Sequence, residues 1–184
     1  MGSVFPPLNA QPPRSWVPPS FGWVKLHVDG AMVLRSAAVG CGGVLRDNLG
    51  VWIACFSKTI GLCSAETAEE WGLFEGLSLA WDLGFKKVVV ESDASYLVSR
   101  LSGSDAPADS LLVQQIRLLI ASDWEISITY IPRQLNGVAD SLAKWGINRL
   151  LLFSDCALVL RALVDQECLG FIPLCNCYLV VIGF

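Results

Sequence analysis

Between residues 23 and 148 the hydrophobic pattern switches period several times, and the order of those switches limits the fold more than any single motif. Val24, Leu26 and Val28 alternate with Lys25, His27 and Asp29, the period-two signature of a strand. A glycine-rich apolar run at 40–46 follows, then VWIACFSK at 51–58. Asp47-Asn48-Leu49-Gly50 between them predicts a hairpin turn. Ser64 is placed to cap a helix reaching Leu83, with Gly84 as its stop. Ala65, Glu69, Gly72, Gly76 and Ala80 share one face of that helix. A glycine inside a helix costs about 1 kcal/mol relative to Ala, so this face implies close packing against another backbone.

The second half alternates helix and strand. KKVVVE at 86–91 reads as a central strand, and Asp93 is placed to cap a helix to about Leu101. Asp109 or Ser110 opens an amphipathic helix ending near Ser122. EISITYI at 125–131 is a strand stopped by Pro132, and Asn136 starts a last helix over 137–148. The order β-β-β-α-β-α-α-β-α predicts an α/β sheet with helices on both faces and an antiparallel strand at one edge.

The flanks differ from this body. Residues 1–22 hold six of the nine prolines and read as an extended linker. Residues 149–184 form an apolar tail of uncertain structure. Its uncharged stretch from Cys168 to Phe184 is at the lower edge of the roughly 17–25 residues that span a bilayer, and Pro173 interrupts it. The tail is therefore not expected to anchor the chain, and no stable membrane partner is expected. The N-terminus lacks a basic and an apolar signal region. Seven cysteines, an odd number, lie in apolar runs or in the tail, and Cys175-Asn-Cys177 has the wrong spacing for a zinc finger. Free thiols in a reducing intracellular compartment, nucleus or cytoplasm, follow as the expectation. The net charge is −4, which excludes a chain that grips nucleic acid by bulk positive charge.

Four acidic residues occupy unusual positions: Asp29 at a strand end, Glu69 on the small helix face, Asp93 after the central strand, and Asp140 one turn into the last helix. Each has an ordinary reading. Asp29 suits a turn, Glu69 a solvated helix face like Glu66, Glu70 and Glu75, Asp93 an N-cap, and Asp140 a surface. Together, two from strand ends and two from helices over one sheet, they read as a carboxylate cluster. Clustered carboxylates without basic partners repel one another, and oxygen-only ligands favour Mg²⁺ or Mn²⁺.

WVKLHVDGA, GGVLRDNLG, SAETAEEWGLFEGLSLAWDLGF, VVVESD and YIPRQLNGVADSLAKWG, in this order from Trp23 to Gly146, resemble the ribonuclease H type 1 domain. The likeness is to its plant subfamily, found as small proteins and at the ends of retroelement reverse transcriptases. The resemblance implies a five-stranded mixed sheet of order 3-2-1-4-5 with strand 2 antiparallel and helices on both faces. It implies hydrolysis of the RNA strand of an RNA–DNA hybrid. It also implies that Asp29, Glu69, Asp93 and Asp140 are both the catalytic residues and the ligands of two Mg²⁺ ions, with Mn²⁺ as substitute. The hybrid is then the partner, touched by the backbone near Gly30 and Ala31, by Arg133 and by the Asn136 side chain.

Two departures qualify the resemblance. Family members often carry a His in the loop before the last carboxylate, and residues 130–135, YIPRQL, have none; Arg133 stands there as a phosphate contact but does not titrate near neutrality. His27, where Asn is usual, is expected to support the fold or the ligands. Lys86, Lys87 and Arg100 are too few for a basic grip, so weak substrate affinity with a shallow salt dependence is expected. The competing reading is a domesticated, catalytically weak or inactive retroelement domain that binds nucleic acid or protein. A related 3′–5′ exonuclease fits less well, because Asp29-Gly30-Ala31 lacks the Asp-x-Glu such enzymes begin with.

Overall fold

The computed structural model describes residues 16–103 and 109–147, and the backbone of 178–182. Three strands open the fold: β1 (Val24–Val33), β2 (Ala38–Arg46) and β3 (Trp52–Leu62). Helix α1 (Ala65–Asp82), strand β4 (Lys87–Ser92), helices α2 (Ser95–Ser102) and α3 (Leu111–Ile120), strand β5 (Glu125–Tyr130) and helix α4 (Gly137–Ile147) follow, and β6 (Tyr178–Ile182) closes the order. A short 3-10 helix, Arg133–Leu135, joins β5 to α4.

Local chemistry accounts for the boundaries. Asp47 Oδ1 accepts from the amides of Leu49 and Val51, fixing the β2–β3 turn. Ser64 Oγ accepts from the Thr67 amide and caps α1, and Ser110 Oγ caps α3 through the Val113 amide. Beyond α1, Gly84 has φ +80°, the left-handed geometry of a helix stop. Asp93 does not cap α2. Ala94 takes the N-cap position without a side-chain bond, and the Asp93 carboxylate accepts from Asn136 instead.

The sheet order is β5-β4-β1-β2-β3-β6. Its first five strands form the mixed 3-2-1-4-5 sheet, with β2 antiparallel to both β1 and β3. The antiparallel strand is thus interior rather than at an edge, because two hairpins in a row place β2 between its neighbours. Residues 178–182, the part of the apolar tail that is described, pair in parallel with β3 over Ala54–Lys58. The other tail residues, with Cys156, Cys168, Cys175 and Cys177, the linker residues 1–15 and the loop 104–108 lie outside the described residues. Trp16–Gly22, read from sequence as the end of a linker, packs on the body: Pro19 is buried, Lys25 Nζ donates to the Val17 carbonyl, and the Trp16 ring lies against Gly50. No helix of the described residues is long and apolar enough to cross a membrane.

Both faces of the sheet are covered. On one, Leu26, Val28, Leu45, Phe56, Val88, Val90 and Ile128 pack with Leu73, Leu77, Leu97 and Ile116 of α1, α2 and α3. Full burial of each such side chain contributes about 1.5–3 kcal/mol. On the other, Val44, Trp52 and Cys55 meet Val138 and Leu142 of α4. Burial on both faces explains where the period-two reading of β1 misleads: Lys25, His27 and Asp29, the polar half of the alternation, are all buried. Glu70 and Glu75, expected to be solvated, are buried as well. Lys58 Nζ sits 2.7 Å from Glu75 Oε1, and Ser110 Oγ donates to Glu70 Oε2 at 3.0 Å. The Cys41 and Cys55 side chains are buried and Cys63 is half-buried, and none of the three forms a disulfide among the described residues.

Candidate metal centre

Asp29, Glu69 and Asp93 meet because three backbone features converge. Parallel pairing of β1 with β4 stops at His27–Glu91. Beyond that point the two strands part, and the residues two further along, Asp29 and Asp93, lie where the gap opens. This is the carboxyl-end crevice at which open α/β sheets bind ligands. Helix α1 brings the third group by close approach. A Cβ on Gly72 would lie 2.8 Å from the Asp29 carbonyl oxygen, and one on Gly30 would lie 2.4 Å from the Glu69 nitrogen. Only glycine at both positions lets α1 sit this close to β1, which is the physical reason for the small helix face.

One ligand oxygen from each of Asp29, Glu69 and Asp93 lies within 4.8 Å of the others. Glu69 Oε2 accepts from the Gly30 amide at 3.0 Å, which selects Glu69 over its neighbours Glu66 and Glu70. Asp29 is 3% exposed, and its Oδ2 is buried with no hydrogen-bond partner. Burial pushes the Asp29 carboxyl up to about 9, helped by repulsion from Glu69 and Asp93. Burial and the Asp93 charge push Glu69 up to about 8, against the pull of the Gly30 amide and Arg133. A buried carboxylate oxygen without a donor, in an oxygen-only set of like charges, fits a hard divalent cation.

Asp140 stands apart from this trio. Its Oδ1 lies 3.0 Å from Arg133 Nη2 and its Oδ2 2.5 Å from Lys144 Nζ. The expectation of a cluster without basic partners therefore fails at the fourth carboxylate. Lys144 is one helical turn further along α4, and the 3-10 helix carries Arg133 back over its start. Asn136, expected as a hybrid contact, has its side chain turned inward. It is fully buried, and its Nδ2 donates to the Val28 carbonyl at 2.9 Å and to Asp93 Oδ1 at 2.7 Å. Asn136 thus ties α4 to β1 and orients Asp93. Its NH₂ has no reach to solvent, a fact set by tertiary packing that spacing alone does not reveal.

The other predicted contacts are distributed unevenly. The Gly30 amide is engaged by Glu69, Ala31 is buried, and the Arg133 side chain is 72% exposed. His27 supports the fold, as expected, but toward Glu91 and not toward the carboxylate trio. Its Nε2 is 2.7 Å from Glu91 Oε2, and the Trp16 indole N–H approaches the same nitrogen at 3.1 Å. Burial lowers the His27 pKa, favouring the neutral ring.

Residues 27–146 match the family described as "Reverse transcriptase-like". The chain belongs to this family of ribonuclease H-like domains. It is 37% identical over 84% of its length to the Arabidopsis thaliana protein named "Putative ribonuclease H protein At1g65750", of which it spans 26%. It is 32% identical over 66% of its length to "Ribonuclease HI" of Halobacterium salinarum, of which it spans 63%. The crystal structure of the RNase H1 from that archaeon superposes with a TM-score of 0.62 at 30% identity, covering 68% of this chain and 98% of that one. LC11-RNase H1, from compost, solved in complex with an RNA/DNA hybrid, superposes with a TM-score of 0.62 at 23% identity, covering 70% of this chain and 99% of that one. This last likeness concerns the fold. The domain thus shares its architecture with the RNase H1 of the archaeon.

Proposed function

We propose that the domain hydrolyses the RNA strand of RNA–DNA hybrids with two divalent cations, Mg²⁺ or Mn²⁺ in its place. The observation that carries this reading is the convergence of Asp29, Glu69 and Asp93, without a basic partner on Asp29, where β1 and β4 part on a ribonuclease H-like sheet. Those three residues would hold the cations, with Asp140 as a fourth ligand once free of its ion pairs. Bound there, the ions supply an activated water and charge neutralisation at a phosphodiester.

The chain's own residues do the positioning. Asn136 orients the Asp93 carboxylate, and the Gly30 amide orients Glu69. The close approaches of Gly30 to Glu69 and of Gly72 to Asp29 hold β1 and α1 at the separation that keeps the carboxylates together. Arg133, exposed beside the cluster, is the contact we assign to a hybrid phosphate, and the hybrid bound by LC11-RNase H1 supports that partner. Among the described residues nothing near the cluster replaces the loop His that the family often carries, so turnover is expected to be slow.

One observation favours a second reading. Both Asp140 oxygens are paired with cations, as they would be in a domain that binds but no longer cleaves. A labelled RNA–DNA hybrid with Mg²⁺ or Mn²⁺, given to wild type and to Asp93→Asn, separates the two. Cleavage by wild type alone supports the nuclease; equal persistence of the hybrid with both proteins and both metals supports the binding module.

A further inference from the structure

The fourth carboxylate carries a constraint that the other three lack. Asp140 is held at both oxygens, by a guanidinium from the 3-10 helix and by an ammonium one helical turn along α4. The placement of Arg133 is built in. Pro132 precedes the 3-10 turn, the Asn136 amide donates to the Arg133 carbonyl, and buried Asn136 locks that turn to β1. The Arg133 charge also acts on Asp29, Asp93 and Glu69, so the guanidinium sits close enough to offset part of the negative field of the trio.

We propose that Arg133 and Lys144 make Asp140 a conditional ligand, so that the domain takes its two divalent cations with unequal affinity. The proposal rests on the metal-dependent reading above and adds the order of loading. The trio of Asp29, Glu69 and Asp93 needs no ion pair broken to accept the first cation. A second cation that draws on Asp140 competes with Arg133 and Lys144 for its oxygens. Both cationic side chains are more than half exposed, so each pair is of modest strength. Removing one should tighten the second binding step by roughly 1.5- to fivefold.

The test is a Mn²⁺ titration of the intact chain, read by calorimetry and by the electron paramagnetic resonance signal of free Mn²⁺, with no substrate present. Wild type, Arg133→Gln, Asp140→Asn and the double variant form a cycle. Two steps are expected in wild type, with the second tightened in Arg133→Gln more than the first. In the Asp140→Asn background, the gain from Arg133→Gln on the second step should shrink to the small field effect of removing one charge beside the trio, because the rest of its effect runs through Asp140. An equal gain from Arg133→Gln with or without Asp140 would show a general field effect and overturn the proposal. So would an unchanged second step in Arg133→Gln, or equal affinities for the two ions in wild type; in each case the metal site itself would stand. No Mn²⁺ bound by wild type would overturn the metal reading and this proposal with it. Circular dichroism melts of each variant confirm folding, and Lys144→Gln, also at an exposed residue, should repeat the Arg133→Gln result.

Discussion

Strand β1 buries charge twice, four residues apart, and treats the two cases oppositely. At Lys25 and His27 the charge is balanced. Glu91 takes Lys25 Nζ on one oxygen at 2.6 Å and His27 Nε2 on the other at 2.7 Å. Burial alone would raise the Glu91 carboxyl, but the bonds from His27 and Lys25 outweigh it and lower it. At buried Asp29 the neighbours are half-buried Glu69 and Asp93, both of its own sign, and the carboxyl is pushed up to about 9. The same strand, sheet and burial thus give architecture where the charges cancel and a demand for an external cation where they do not. That contrast, more than the count of acidic residues, is what makes the trio the candidate site.

Breaking the balanced cluster should have the largest effect on the fold. Glu91→Gln strands buried Lys25, and urea unfolding should show a loss of about 3–5 kcal/mol. Next comes Gly72→Ala, whose added Cβ meets the Asp29 carbonyl at 2.8 Å. It should cost about 1–3 kcal/mol through strain and weaken Mn²⁺ binding by separating Glu69 from Asp29. Relieving the unbalanced cluster should do the reverse. Asp29→Asn should stabilise the metal-free protein by about 1–2 kcal/mol at mildly alkaline pH while abolishing metal binding.

The pH profile sharpens the same contrast. Folded-state values of about 9 for Asp29 and about 8 for Glu69 mean that the fold favours their protonated forms. The stability they contribute is therefore complete below the usual carboxylate range, about pH 4, and is lost as pH rises toward 9. Thermal unfolding of the metal-free protein should show this decline, and Asp29→Asn or saturating Mg²⁺ should flatten it. The smallest effect belongs to the surface. Lys87→Ala breaks an exposed pair with Glu125 and should change stability by less than about 1 kcal/mol.

Much of the fold was legible because its signals are local. Ser64, Ser110 and the Asp47 turn carry their chemistry within a few residues, and the glycine face of α1 announced a close approach that the Asp29 carbonyl satisfies. Asp29, Glu69 and Asp93 were legible as a group through the family motifs. What escaped was set by contacts distant along the chain. Glu75 is buried because Lys58 comes from β3, Asn136 because it reaches β1 and Asp93, and Trp16 because it finds the β2–β3 turn. Asp140 differs again. Lys144 was visible on its helical face, but the approach of Arg133 depends on the 3-10 turn, which carries no periodic signal.

The most direct test of the account is calorimetric titration of Mn²⁺ into the metal-free protein near neutral pH, repeated in buffers of different ionisation enthalpy. Binding should release about one to two protons, because the cation displaces those held by Asp29 and Glu69. Both the binding and the proton release should vanish in Asp29→Asn. Absence of binding, or binding that survives Asp29→Asn with no proton released, would contradict the claim that these carboxylates are built to receive a cation.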